Sequence, residues 1–470
     1  MSITQAITVE AIRFPELRSR FRGALLQPGE EGYEEARRVW NGGIDRHPAL
    51  IARCAGSDDV VEAVRYGREQ ALPVSVRCGG HSVAGHAVCD GGLMIDLSLM
   101  RSIRVDPGAR TARVAGGALL GDLDRATQQF GLATTAGIVS HTGVGGLTLG
   151  GGLGHLMRRF GLTVDNLLSV DLVTAEADRL HVDAETEPEL FWGLRGGGGN
   201  FGIATAFTFR LHSVGPMVLG GPIFWPLADA PAVLRVLRDF ARDAPDALSL
   251  GMTLRLAPPM PFLPIEQYGK PVIGLVLVWT GDPADGERVI APLRRIAPPL
   301  ADVVRPVPYL AIQTMLDAGN PHGMHYYWRS LRLPQLSDEV IDVLIGATES
   351  ITSPLSYFGC FAVGGAASRV DPAATAVGAR EVGFELNTLA GWRPQDPNGE
   401  RHTAWVRTTW EALRPHSSGV FSHFLSDEGA AGIQAAYGER LERLAALKQR
   451  YDPTNFFRLN ANIPPGRAAP

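Results

Sequence analysis

Apolar residues recur at helical spacing over residues 57–72 (SDDVVEAVRYGREQAL), where Val60, Ala63, Val64, Gly67 and Ala71 share one face. Ser57 is placed to cap this helix, and Asp58 and Asp59 suit its positive end. Pro73 stops it, and the β-branched run Val74-Ser75-Val76 leads into Arg77-Cys78-Gly79-Gly80-His81. Residues 94–97 read as another short strand, 102–116 as a hairpin turning at Pro107-Gly108, and 119–130 as a helix closed by Gly131. Residues 167–183 alternate like a further hairpin and 201–211 like a sheet strand. This texture predicts an α+β lobe of short helices and hairpins.

From about residue 216 the pattern changes. Strand-like runs at 218–226, 248–256, 272–280, 326–333, 357–366 and 383–390 are separated by helical stretches near 229–243, 284–296, 337–350 and 400–413. Hairpin-length gaps mixed with helices predict a large, mostly antiparallel sheet covered by helices on one face. A last helix over 430–450 puts Ile433, Tyr437, Leu441, Leu444, Leu447 and Tyr451 on one side. The Asn- and Pro-rich NFFRLNANIPP after it reads as a docked irregular tail, and no internal repeat interrupts the chain.

At 470 residues the chain is long enough for two or three lobes, and 45% hydrophobic against 20% charged residues leaves no case for wholesale disorder. A formal net charge of −5, with no basic run, excludes a nucleic-acid scaffold that works by overall positive charge. Four cysteines (Cys54, Cys78, Cys89, Cys360) make no disulfide framework and have no paired C-x-x-C spacing for a metal. The N-terminal residues lack the basic start and apolar core of a signal peptide, and no apolar run reaches membrane-spanning length. A soluble cytoplasmic protein with no membrane or nucleic-acid partner is expected.

Glycine is the deviant number: 55 residues, about 12% against a usual ~7%. Two segments are dense in it, 77–85 (RCGGHSVAG) directly after a strand and 137–154 (GIVSHTGVGGLTLGGGLG). A flexible linker would be a Ser/Gly mixture, whereas the second segment is threaded with Ile138, Val139, Val144, Leu147, Leu149 and Leu153. Apolar residues between glycines suggest a wall whose backbone lies against a flat ligand, with free N–H groups able to cradle a diphosphate. No G-x-x-x-x-G-K-[ST] loop occurs, and the glycines lack the order and context of a Rossmann turn.

Four motifs in order then carry a resemblance. They are Arg77-x-Gly-Gly-His81-Ser82; Gly143-Val-Gly-Gly-x-x-x-Gly-Gly-Gly152-x-Gly154; Leu190-Phe-Trp-Gly-Leu-Arg195-Gly-Gly-Gly-Gly-Asn200-Phe-Gly202; and Tyr451-Asp-Pro-x-Asn455-Phe-Phe457 with Asn460-x-Asn462-Ile-Pro-Pro465. Together they resemble the vanillyl-alcohol-oxidase superfamily with its PCMH-type FAD-binding fold, and within it the berberine-bridge-enzyme-like FAD-linked oxidases. The resemblance implies an FAD-binding lobe over 1–213, a substrate lobe with a broad antiparallel sheet over 214–418, and a segment 419–470 returning to the flavin lobe. It implies FAD contacts from Arg77, Cys78, Gly79, Gly80, His81, Ser82, Gly85, Gly137, Ser140, Gly143, Gly145, Gly146, Thr148, Gly152, Gly154, Gly202, Ile203, Asn460 and Asn462. His81 matches the histidine bonded covalently to the flavin. Many relatives add a cysteine where this chain has Val139, and valine cannot form a thioether, so a single attachment is expected.

The resemblance also implies hydride removal from a C–H beside nitrogen or oxygen of a small organic molecule, with O2 as the acceptor that yields H2O2. Family members acting on alcohols often draw a base from a Tyr-x-Asn near the last helix; here Phe421 replaces the Tyr and His423 stands at the Asn. Proton removal then falls to His423, to a residue of the substrate sheet, or to neither if the donor is a neutral amine. Tyr326, Tyr327, Arg329, Glu385 and Asn387 match segments that line the substrate cavity, with His423, Tyr327, Glu385 and Asn387 the catalytic candidates. The small Thr148, matching a position near the oxygen-reactive carbon, favours an oxidase over an oxygen-insensitive dehydrogenase or an inert flavin-binding protein. No metal is expected, and the oligomeric state is not legible.

Overall fold

The strand pattern of the second half sets the architecture. In the computed structural model, which describes residues 15–378 and 380–466, strands Met217–Pro226, Leu248–Leu256, Pro271–Trp279, Tyr357–Val363, Gly383–Trp392 and His325–Leu333 join one eight-stranded antiparallel sheet. Its order is 301–302, 217–226, 271–279, 248–256, 357–363, 383–392, 325–333, with Arg305–Pro308 pairing the 217–226 strand beside 301–302. Residues 1–14, on which the reading of the N-terminus partly rests, lie outside the described residues.

Alternation divides this sheet into two faces. Leu250, Met252 and Leu254, Ile273, Leu275 and Leu277, and Leu331 and Leu333 point to one side. There they pack against helices Ala230–Asp243, Pro283–Arg294, Asp338–Glu349 and Gly399–Leu413 in the largest core of the protein. The intervening residues face the other way, and the register aligns them into rows. Arg255, Tyr357, Leu389 and Trp328 form one row; Thr253, Gly359, Asn387 and Ser330 the next; Gly251, Phe361, Glu385 and Arg332 the third.

Opposite that face lies the first half of the chain. It holds a four-stranded sheet ordered 24–26, 50–53, 93–96, 74–77, whose last three strands run parallel, and a five-stranded antiparallel sheet ordered 103–106, 111–115, 203–210, 167–173, 179–183. Helix Ser57–Glu69 crosses between strands Leu50–Arg53 and Val74–Arg77. Ser57 opens this helix without capping it by its side chain. Buried Asp59 does not serve the helix end either: its carboxylate accepts the N–H groups of Arg22 (2.8 Å), Gly23 (3.0 Å) and Ala55 (2.8 Å), pinning the preceding loop.

The expected last helix is two, Gly429–Tyr437 and Arg440–Tyr451, broken at Gly438, whose φ of +53° suits glycine. Ile433, Leu444 and Leu447 pack with Leu190, Phe191 and Trp192, and Phe456 and Phe457 with Val60, Leu93 and Val173, so the tail docks on the first half. All four cysteines are free. Among the described residues, no helix is long and apolar enough to cross a membrane.

Candidate active site

Between the two halves runs a cavity of about 860 Å³, near the upper end of the ~300–1,000 Å³ usual for small-molecule sites. One wall is bare backbone from the two glycine segments. A Cβ on Gly143 would come 2.4 Å from Gly79 N and 2.5 Å from Cys78 Sγ, so the loops meet backbone to backbone and tolerate no side chain there. Gly146 and Gly199, by contrast, have nothing within 4 Å of where a Cβ would stand, and both line the cavity. Helix Val144–Leu149 lies inside the glycine-rich stretch, a feature its composition argues against.

His81 sits in this wall. Its ring stacks on Trp40 (4.7 Å between centroids, 16° between planes), and Trp40 stacks in turn on Tyr326 (3.9 Å, 7°). His81 Nε2 lies 2.6 Å from His141 Nδ1. His322 completes a cluster whose nitrogen atoms lie within 4.8 Å of one another. Burial, and then the neighbouring His141 and His322, push His81 well below the ordinary histidine range, and burial lowers His141 and His322 as well. All three rings are therefore neutral at pH 7.

The opposite wall is the sheet face with Arg255, Tyr357, Thr253, Gly251, Asn387 and Trp328. Between the walls stands His423. Its Nδ1 lies 2.9 Å from the Gly150 carbonyl oxygen, which can only accept. Nδ1 therefore carries the proton and Nε2 the lone pair. Burial lowers its pKa to about 4, so the ring is a neutral acceptor. Glu385 is wholly buried on the same sheet face but outside the cavity lining: Ser330 Oγ donates to its Oε1 at 2.5 Å, Oε2 has no partner, and burial raises its pKa to about 7.

Of the expected contacts, Cys78, Gly79, Gly80, His81, Ser82, Gly137, Gly143, Gly145, Gly146, Gly202, Ile203 and Asn460 line the cavity, as do His423 and Asn387. Others lie off it. Arg77 spends its guanidinium on the Ala36 carbonyl (2.7 Å) and on buried Asp96. Ser140 is tied through its N–H and hydroxyl to the Asp317 carboxylate (2.8 and 2.6 Å). Gly85, Gly152 and Gly154 permit close packing: their Cβ atoms would strike Ile44, Thr163 and the Ala136 carbonyl. The Asn462 side-chain oxygen is buried without a partner, away from the lining.

Two expectations need correction. Thr148 is buried inside helix Val144–Leu149, which turns Leu147 and Leu149 into the cavity and Thr148 out of it. Tyr327 and Arg329 lie on the helix-covered face, because the period of two gives that parity to Leu331 and Leu333. There the Tyr327 hydroxyl donates to Asp427 (3.0 Å) and accepts from Arg329 Nε (3.0 Å) and Arg407 Nε (3.1 Å).

Comparison with known proteins bears on this geometry. Residues 48–183 match the FAD binding domain family and residues 427–464 the berberine and berberine-like family. An FAD-linked oxidoreductase of Dictyostelium discoideum is 32% identical over 452 residues, covering 94% of this chain and 95% of that protein. The (R)-6-hydroxynicotine oxidase of Paenarthrobacter nicotinovorans is 30% identical over 94% of this chain and 97% of its own length. The chain belongs to the berberine-bridge-enzyme-like FAD-linked oxidoreductases. The crystal structure of 6-hydroxy-D-nicotine oxidase from Arthrobacter nicotinovorans superposes with a TM-score of 0.86 at 29% identity, covering 95% of this chain and 98% of that one.

The residues of this oxidoreductase fit FAD. The open glycines Gly146 and Gly199 leave a backbone-lined trough, and Asn460 presents a buried, unpartnered side-chain oxygen in the same wall. Sequence reasoning missed several lining residues: His155, whose Nε2 is buried without a partner; Trp40, which braces His81; and Arg255. It also missed His322, which no motif marks and which joins His81 and His141 in their cluster. Arg255 was open to discovery, since it shares the parity of Gly251 and Thr253 in a strand whose other face is Leu250, Met252 and Leu254.

Proposed function

We propose that this oxidoreductase is an FAD-dependent oxidase. It holds its cofactor covalently through His81 alone, removes a hydride from a C–H beside nitrogen or oxygen of a small organic substrate, and is reoxidised by O2 to give H2O2. The observation that carries the reading is the setting of His81, an imidazole in the cavity wall braced by Trp40 and hydrogen-bonded to His141. With the Nε2 proton shared toward His141, Nδ1 keeps its lone pair free for a bond to carbon. The position that could offer a second attachment is Val139, which lines the same cavity and carries no nucleophile.

When bound, FAD supplies the two-electron acceptor. The chain supplies position and a proton acceptor: the sheet face and the glycine wall hold the substrate between them, and His423 Nε2 takes the proton of an O–H or N–H as the neighbouring C–H is broken. Leu389, Trp328, Phe424 and Leu425 line the same space and exclude water from it. Oxygen as the final acceptor is supported by the oxidase relative at 30% identity and no longer by Thr148. A dehydrogenase passing electrons to another acceptor is the second reading, since Thr148, turned away from the cavity, no longer separates the two.

Acid-precipitated protein should remain yellow and its intact mass should exceed the polypeptide by one FAD, with His81→Ala abolishing both. A colourless pellet at the bare mass would overturn the tether. Bleaching of the anaerobic protein by members of an amine and alcohol panel, followed by peroxide release in air, separates oxidase from dehydrogenase.

A further inference from the structure

Arg255 is a cation facing the cavity with nothing to neutralise it. It stands on the sheet wall, in the row Arg255, Tyr357, Leu389, Trp328. Among the described residues its side chain makes no hydrogen bond and no ion pair; Nε is buried and unpartnered. Its one favourable neighbour is the Tyr357 ring, 5.4 Å from the guanidinium carbon, and that hydroxyl is already committed to Asn320 Oδ1 (2.9 Å). No aspartate or glutamate is among the described residues lining the cavity.

A guanidinium cannot shed its charge as a lysine does, and burying it unpaired is costly. Burial already pulls its pKa below the ordinary arginine value. Five donors in a planar fork match a carboxylate, and Met260, Phe262, Tyr357 and Trp328, which line the same cavity, suit an organic body rather than a free inorganic ion.

We propose that the substrate is an organic acid whose carboxylate binds Arg255 on the sheet wall, which orients the rest of the molecule across Gly251 and Gly359 toward His423. This rests on the oxidoreductase reading of the cavity but not on the His81 tether. Arg255 is a specificity residue here; it stands on the wall opposite the glycine loops and holds no part of the cofactor.

The test is calorimetric titration of the purified, flavin-containing protein with a series of aryl and alkyl acids, each against its own amide. At least one acid should bind about tenfold or more tightly than its amide, as expected for hydrogen bonds to a charged group. Arg255→Met should bring that ratio close to one, and Arg255→Lys should keep part of it. Flavin content, read from the absorbance of the same samples, should be unchanged in both variants. Three results would overturn the assignment: no acid preferred over its amide, a preference that survives Arg255→Met, or loss of flavin in Arg255→Met. Absence of flavin from the wild-type protein is a separate result that would remove the oxidoreductase reading itself.

Discussion

Replacing Lys448 by methionine tests how the C-terminal tail is held against the cofactor wall. Lys448 and Asp452 are both fully buried, with Nζ 2.6 Å from Oδ2. Nζ also donates to the carbonyls of Asn200 (2.8 Å) and Phe457 (2.9 Å), and the Asp452 carboxylate accepts the N–H groups of Phe456 (2.7 Å) and Phe457 (2.9 Å). Methionine nearly fills the space but leaves a buried carboxylate without its cation and two carbonyls without a donor. Removing one partner of a buried pair costs about 3–5 kcal/mol. Asp452 keeps two N–H donors, so the lower end, about 3 kcal/mol, is expected. Global unfolding of a chain with several cores would blur that value, whereas amide hydrogen exchange reads it locally. Exchange at Phe456 and Phe457 should rise about a hundredfold in Lys448→Met, at about 1.4 kcal/mol per tenfold. Flavin content should fall with it, because Asn200 bonds the Gly197 and Ala461 carbonyls and Asn460 the Gly199 carbonyl, joining the tail to the trough. Exchange within about fivefold of wild type would mean that the pair does not hold the tail.

His423→Ala should lower kcat by about 10²–10⁴-fold; since the ring titrates at about 4, wild-type kcat should stay flat from neutrality downward and fall only as pH drops through that value. An acid limb near the ordinary ~6.5 that survives His423→Ala would refute its role as acceptor. Tyr327→Phe should leave kcat/KM within about twofold, because its hydroxyl is engaged with Asp427 on the far face of the sheet; a large loss in kcat at unchanged stability would return Tyr327 to the catalytic set. Glu385→Gln should remove a pH dependence of stability. The carboxyl's folded-state pKa is raised to about 7 from 4.5, so the folded state binds the extra proton. The stability it contributes is whole below about 4.5 and is lost as pH rises through about 7, on the order of 3 kcal/mol. Urea midpoints at acidic and alkaline pH should diverge in wild type and converge in the variant.

The large sheet was legible because its strands are long and their apolar residues leave one face unmistakable. The short strand Leu50–Arg53 was not: four residues carry too little alternation, and its partner Leu93–Asp96 is parallel and far along the chain. The break at Gly438 was hidden because Leu441, Leu444 and Leu447 keep their helical spacing beyond it. The helix Val144–Leu149 was hidden for the opposite reason. Glycine costs a helix about 1 kcal/mol per residue and this one carries Gly145 and Gly146, yet a Cβ on Gly145 would stand 3.2 Å from the Gly116 carbonyl oxygen and one on Gly146 would enter the cavity, so the surroundings override the propensity.

The catalytic candidates show which part of a site a motif carries. Matching by position put Tyr327 and Asn387 on equal footing, while counting parity separates them. In His325–Leu333 the residues of Tyr327's parity include Leu331 and Leu333 of the helix-covered core. In Gly383–Trp392 the core residues Phe384, Leu386 and Ala390 have the parity opposite to Asn387. The same count applied to Leu248–Leu256 puts Arg255 on the cavity side. What counting cannot supply is that no acid stands near it, since the cavity lining, which carries no aspartate or glutamate among the described residues, is drawn from both halves of the chain. Whether a guanidinium is a structural ion pair or a ligand subsite is decided by its neighbours in space. Here those neighbours come from strands and loops separated by tens to hundreds of residues, and only the assembled cavity brings them together.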